Sequence, residues 1–259
     1  MAGQEHGESI DDLHNSDISL EPGEFIEDLQ CSGISLEPGE FIEDLQCSSL
    51  RIIARSDGFR YGTDSVLLAN AVKAKSGDRI VELCSGTGAV SILLSAKTRA
   101  ARIMGIELQD SLVGMANRSA AMNGISERVG FIQGDIRDIR ALAKAGSAEV
   151  VAVNPPYMKI GDGAVSPDGK AASARHEIDC GLADVVGAAN WLLNPGGRLY
   201  AVYRPDRLVD LLCAMREAAI EPKELRLFSP PGRDGVASLI LVVGRKQASA
   251  GLRCINSDM

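Results

Sequence analysis

No apolar run in this 259-residue chain approaches the ~18 residues that a membrane-spanning helix needs, so no transmembrane segment is expected. The N-terminus has no basic segment followed by an apolar stretch, so no secretory signal is expected and the cytoplasm is the expected compartment. Six cysteines (Cys31, Cys47, Cys84, Cys180, Cys213, Cys254) include no CxxC pair, and the three histidines add no ligand spacing. A disulfide scaffold and a metal site are therefore not expected, and the thiols are expected to be reduced and mostly buried. Aromatic residues are few, at 4%, but the hydrophobic share of 45% is ordinary, so a sizeable core can form. At roughly 150 residues per domain, the length allows one large domain or two small ones.

Residues 1–48 lack Lys and Arg altogether and carry 13 acids. The formal charge of −8 therefore conceals a body, residues 49–259, with 22 acids against 27 bases. Such a body can neutralise phosphates locally, a weak pointer to nucleic acid. Within the leader, Ile18–Ser32 (ISLEPGEFIEDLQCS) repeats letter for letter as Ile34–Ser48. Two copies are too few for a solenoid. The stretch is charged and poor in core residues, so residues 1–48 are read as a largely disordered acidic extension and 49–259 as the folded domain.

From Leu50 the pattern is that of a folded body. Thr63–Lys75 has helical spacing, with Thr63 or Asp64 as N-cap. Strand-length apolar runs follow at 79–84, 102–107, 128–133, 149–153 and 198–203, with helical stretches at 89–97, 110–123, 136–144 and 177–193 between them. This alternation predicts an α/β fold with a parallel, doubly wound sheet covered on both faces. A helix over 205–219 and two β-rich runs, 224–228 and 238–243, complete the body. Gly232, Asp234 and Gly235 between those runs predict an antiparallel hairpin.

The first strand of the alternation leads into Glu82-Leu-Cys-Ser-Gly86-Thr-Gly88. In such a sheet ligands sit at the carboxyl ends of the strands. Gly86 and Gly88 permit a close backbone approach, and the following helix directs its N–H groups at the ligand. A dinucleotide fingerprint would carry a third glycine where Ser91 stands. The acid before the turn suits an ammonium group and repels a pyrophosphate. Glu107 ends the second strand, 25 residues after Glu82, where an acid can bind two ribose hydroxyls. Asp135 follows the third strand and can accept from an adenine amino group, with Ile136 covering the ring. Each acid alone also reads as a helix cap or a solvated loop residue.

The fourth strand runs into Asn154-Pro155-Pro156-Tyr157. The prolines fix φ and set the direction of their carbonyls. The Asn154 side-chain oxygen and the Pro155 carbonyl can together grip both hydrogens of a planar amino group, and Tyr157 offers a stacking face. Acceptors that favour a tetrahedral nitrogen would raise its reactivity toward a sulfonium methyl group, with no strong base required. Catalysis of this kind is positioning and electrostatics.

ELCSGTG, GIE, GD and NPPY in this order resemble the class I S-adenosylmethionine-dependent methyltransferases that modify amino or amide nitrogens. The resemblance covers about 200 residues, Leu50 to Arg245. It implies a Rossmann-like seven-stranded sheet with an antiparallel last strand, S-adenosylmethionine as cofactor, and no metal. It implies a cofactor site that includes Glu82, Cys84, Gly86, Gly88, Glu107, Leu108, Asp135, Ile136 and Asn154, with Asn154 to Tyr157 as the catalytic motif.

Three further segments, Asp57–Ala69, Ala174–Glu177 and Tyr203–Leu208, are similar to the tRNA (adenine-N6)-methyltransferases that act beside the anticodon of a valine tRNA. This narrower resemblance implies a tRNA substrate and puts Tyr61, Gly62, Thr63 and Asp64 near the cofactor. Lys159, Arg175 and His176 are candidate substrate contacts. Arg175 also reads as an ion-pair partner, and His176 as part of a helix start. A flipped base is cheapest in a loop, which suits an anticodon-loop target. Two relatives with the same chemistry remain as alternatives, a protein glutamine N5-methyltransferase and a ribosomal RNA guanine-N2 methyltransferase. A nicotinamide-dependent dehydrogenase fits the sheet but not Glu82, Ser91 or NPPY.

Overall fold

The computed structural model describes residues 35–58, 60–155, 181–229 and 236–258. Five contiguous parallel strands make up one side of an eight-stranded sheet, with β5 at its edge: β3 (Arg79–Leu83), β4 (Arg102–Glu107), β5 (Val129–Gln133), β6 (Ala148–Val153) and β7 (Leu193–Tyr203). Their apolar runs are near-continuous because helices cover both faces. β8 (Ile220–Ser229), β9 (Leu239–Lys246) and β10 (Arg253–Asp258) follow, and the spatial order is β10-β8-β9-β7-β6-β3-β4-β5. β9 runs antiparallel between β7 and β8, as expected for the last strand of a seven-stranded sheet. The hairpin expected from Gly232, Asp234 and Gly235 is the β8–β9 pair, although those three residues lie outside the described ones. β10 is an eighth strand that the sequence reading lacks, added parallel to β8.

The chain steps from β3 to β4 and β5 on one side, then returns to lay β6 on the other side of β3. The order therefore reverses between β3 and β6, and the crevice at their carboxyl ends is where an open α/β sheet binds its ligand. Side chains alternate across the strands. Ile80, Val150 and Ala152 pack on one face with α1 (Thr63–Ala71), α2 (Ala89–Lys97) and α3 (Asp110–Met122). Val81, Leu83, Val151 and Val153 pack on the other with α5 (Leu182–Leu192) and α6 (Leu208–Glu217). The short α4 (Ile139–Leu142), preceded by a 3-10 turn, replaces the longer helix expected over 136–144. No helix among the described residues is long and apolar enough to cross a membrane.

The boundary at 48/49 needs correction. Residues of the second repeat copy form β1 (Glu40–Asp44), antiparallel to β2 (Arg51–Arg55). The reason is charge pairing. The Glu40 side chain, only 1% exposed, takes two hydrogen bonds from Arg118 on α3 at 2.6 and 2.7 Å. Leu45 is buried behind it. β2 in turn docks on α3, where Asn123 Oδ1 and Ser119 Oγ accept from the N–H groups of Arg51 and Ile53, each at 2.9 Å. An acidic segment that looks uncompensated in sequence thus meets its cations in three dimensions. The cysteine expectation also changes. Cys47 and Cys84 are half-buried, while Cys213 and Cys254 are exposed.

Candidate active site

The turn after β3 is built from three left-handed residues: Cys84 at φ 56°, Gly86 at 55° and Gly88 at 83°. At Gly88 a side chain would strike the Phe131 ring, so glycine is required for space as well as for φ. The Ser85 N–H donates to Ile106 O at 3.1 Å and ties the turn to β4. The Ser85 hydroxyl, in a residue 6% exposed, has no hydrogen-bond partner among the described residues.

Glu82 and Glu107 frame the turn. Pairing of Leu83 with Ile106 on one side and Val153 on the other sets Cys84, Glu107 and Asn154 at one level, at the carboxyl edge of the sheet. Glu82 shares its sheet face with Ile80 and Ala152 and sits below the first turn of α2. Its Oε2 accepts from the Ser91 N–H at 2.9 Å and the Ser91 hydroxyl at 2.5 Å. Ser91, which breaks the dinucleotide fingerprint, therefore has a structural duty of its own. Burial pushes the Glu82 carboxyl up to about 8; the Ser91 donors pull it down and the Glu107 charge adds to the rise. At neutral pH the ligand-free group thus holds its proton. Glu107, also buried, takes the Gly86 N–H at 2.8 Å on Oε2 and the Gln109 N–H at 3.0 Å on Oε1. Next to it Leu108 is 42% exposed, an apolar side chain left at the surface beside an acid.

Asp135 caps the 3-10 turn after β5 by accepting from the Arg137 N–H at 2.9 Å, and its carboxylate is also held by the Arg137 guanidinium, which keeps it below the usual carboxylate range. The capping alternative is therefore realised there. Ile136 is buried at 6% exposure. Gly62, and neither Thr63 nor Asp64, occupies the N-cap of α1. Asp64 instead accepts from the Ser65 N–H at 2.8 Å, and the Tyr61 hydroxyl donates to Asp44 O at 3.3 Å.

Asn154 is the first residue beyond β6, and the alternation puts it on the face of α1. Its Nδ2 donates to Ser65 Oγ at 3.2 Å. That bond brings the start of α1, including Tyr61 to Asp64, to the carboxyl end of β6. Ser65 was missed from sequence; the signal available was a hydroxyl on the otherwise apolar, buried face of α1 with Leu68 and Ala69. Pro155 follows in place, whereas Pro156, Tyr157, Lys159, Arg175 and His176 lie outside the described residues.

Comparison with known proteins agrees with this geometry. A family model described as a methyltransferase domain matches residues 80–161. The tRNA1(Val) (adenine(37)-N6)-methyltransferase of Porphyromonas gingivalis is 33% identical over 158 residues, covering 59% of this chain and 61% of that protein. The protein of the same description from Aeromonas hydrophila is 28% identical over 155 residues, covering 60% of this chain and 63% of its own length. The chain thus spans somewhat less than two thirds of these relatives. Among solved structures, a predicted O-methyltransferase from Agrobacterium tumefaciens superposes with a TM-score of 0.61 at 23% identity, over 76% of this chain and 86% of that one. The chain therefore has the class I methyltransferase fold, matches a methyltransferase-domain model over residues 80–161, and resembles the tRNA1(Val) (adenine(37)-N6)-methyltransferases.

Proposed function

We propose that this chain moves a methyl group from S-adenosylmethionine to an exocyclic amino nitrogen, N6 of an adenine in the anticodon loop of a tRNA, in the cytoplasm. The observation that carries the reading is the position of Asn154. It stands at the strand-order reversal, level with Glu107 and on the sheet face of Glu82. The similarity to proteins described as tRNA1(Val) (adenine(37)-N6)-methyltransferases supports the choice of substrate.

The residues suit the cofactor. Glu82 is a buried acid held by neutral donors, which favours an ammonium partner. Glu107 would take the ribose hydroxyls, and exposed Leu108 offers an apolar surface for the adenine, with Ile136 and Asp135 at the end of the neighbouring strand. The buried Ser85 hydroxyl gains a partner when a polar ligand fills the turn. Gly86, Gly88 and Cys84 shape the loop, and Tyr61 to Asp64 border the site from α1. When bound, S-adenosylmethionine would supply a methyl group on a sulfonium, whose sulfur departs as a neutral thioether without assistance.

The protein's part is to prepare the nitrogen. Asn154 Oδ1 and Pro155 O accept the two amino hydrogens, which favours a tetrahedral nitrogen and frees its lone pair. Pro156 and Tyr157 are assigned to the same motif, with Tyr157 as the stacking partner of the base. Lys159, Arg175 and His176 are assigned to the RNA. The proton leaves to solvent after transfer, so positioning provides most of the acceleration.

The test is incubation of the purified protein with S-adenosylmethionine and unmodified total tRNA, followed by mass spectrometry of the nucleosides. N6-methyladenosine is expected. Asn154→Ala is expected to bind cofactor normally and to transfer no methyl group. An equal loss of both would remove the role assigned to Asn154. Cofactor binding with no methylated nucleoside would redirect the substrate to a protein glutamine or to ribosomal RNA.

A further inference from the structure

Ser65 lies in the first turn of α1, 89 residues from Asn154 in sequence, yet the two side chains meet at 3.2 Å. Ser65 is 4% exposed and packs among apolar neighbours of α1. A buried hydroxyl in such a place costs free energy unless it is hydrogen-bonded. Its partner here is the Asn154 amide. The backbone of the same turn is fixed by other means, because the Ser65 N–H donates to Gly62 O at 3.1 Å and to Asp64 Oδ1 at 2.8 Å. The hydroxyl is therefore not spent on capping the helix.

We propose that Ser65 is a positioning residue of the methyl-acceptor site, holding Asn154 Nδ2 so that the carboxamide keeps its oxygen for the amine. The inference rests on the reading of Asn154 given above. A carboxamide can rotate by half a turn about its last bond, and only its oxygen end can accept from an amino group. An inverted amide would set N–H against N–H. With the Ser65 hydroxyl acting as acceptor, the bond engages the nitrogen and holds the plane of the amide in the sense the reaction needs. It also fastens the start of α1 to the end of β6, so the segment bordering the cofactor and the group gripping the amine move together.

The test uses the full chain. With S-adenosylmethionine and unmodified tRNA, Ser65→Ala is expected to lower kcat roughly tenfold, the worth of one neutral hydrogen bond, while the cofactor Kd stays within about twofold. A separate readout needs neither cofactor nor RNA. In protein labelled with 15N-asparagine, the side-chain amide pair missing from Asn154→Ala is that of Asn154, and Ser65→Ala is expected to shift it and to bring its two protons closer together. An Asn154 amide signal unmoved by Ser65→Ala would overturn the proposal. So would a rate loss matched by an equal loss of cofactor affinity. If the unaltered chain methylates no RNA, the proposed function fails on its own account, and the amide signal still decides the role of Ser65.

Discussion

The two ends of the parallel sheet treat their acids differently. At the amino ends, Asp78 pairs with Arg198 at 3.0 Å and Glu149 with Arg79 at 2.8 Å, and Asn194 also donates to Glu149. The Arg79 guanidinium keeps Glu149 below the usual carboxylate range. At the carboxyl ends, Glu82 and Glu107 are held by neutral donors: the Ser91 N–H and hydroxyl, and the N–H groups of Gly86 and Gln109. Burial there drives Glu82 up to about 8. At the amino ends the acids matched to a guanidinium, Asp78 and Glu149, serve the fold, though at the carboxyl ends Asp135, one of the three site acids, also carries such a pair, with Arg137. A buried acid whose hydrogen bonds come from neutral groups, as at Glu82, keeps its affinity for a cation, and such perturbed groups are found at binding sites.

The largest expected contrast follows from truncating one acid at each end. Glu107→Ala removes the proposed ribose ligand and leaves the N–H groups of Gly86 and Gln109 without their acceptor. Cofactor affinity is expected to fall roughly 100-fold and stability by about 2 kcal/mol. Glu149→Ala should leave affinity unchanged and cost about 1 kcal/mol or less, because its pair is partly exposed. Calorimetric titration and urea unfolding of the two variants measure both effects, and equal losses of affinity would erase the distinction between the ends.

Next in size is a pH effect. The Glu82 value is 4.5 when unperturbed and about 8 in the fold, so between those limits the native state binds more protons than the unfolded one. Ligand-free stability should therefore fall as pH rises through this window and level off above it, by up to about 1.4 kcal/mol per pH unit. Glu82→Gln should flatten the slope in urea midpoints measured across that range. Because an ammonium ligand requires the ionised acid, cofactor binding at pH 7 should expel a proton. Calorimetry in buffers of different ionisation enthalpy detects this release, and Glu82→Gln should abolish it.

Gly105 pairs with Glu82 in the sheet and tests how tightly the carboxyl end is packed. A methyl group there would strike the Phe131 ring and approach Ser85 Oγ at 2.8 Å, so Gly105→Ala should cost about 1–3 kcal/mol in thermal or urea unfolding. The smallest effect is expected at Cys84, which adopts φ 56° without being glycine. Cys84→Gly relieves about 1–2 kcal/mol of backbone strain and loses about half of that to chain entropy, for a net gain of about 1 kcal/mol or less.

The strands and helices from Thr63 to Val243 were legible because their periodicities are strong and their breaks carry glycine, proline or capping residues. The positions of Glu82, Gly86, Gly88, Glu107 and Asn154 were legible because each lies near the carboxyl end of a strand or in the turn that follows it, and parallel sheets gather those points at one edge. Three features were hidden. β1 read as part of an acidic tail, since its cation Arg118 lies 78 residues beyond Glu40. β10 had no turn signal tying it to β8. Ser65 looked like one polar residue in a helix, and only its contact with Asn154 gives it meaning.

The sequence by itself determined the order of elements, the glycine turn and the sites of the acids along the chain, because these depend on neighbours within a few residues. The tertiary structure alone decided which acids met arginines and which met neutral donors. It also decided that the second repeat copy pairs with β2 and which hydroxyl anchors Asn154. The reason is that ionisation and hydrogen-bond pairing depend on burial and on partners brought together from distant parts of the chain, and no local pattern encodes either one.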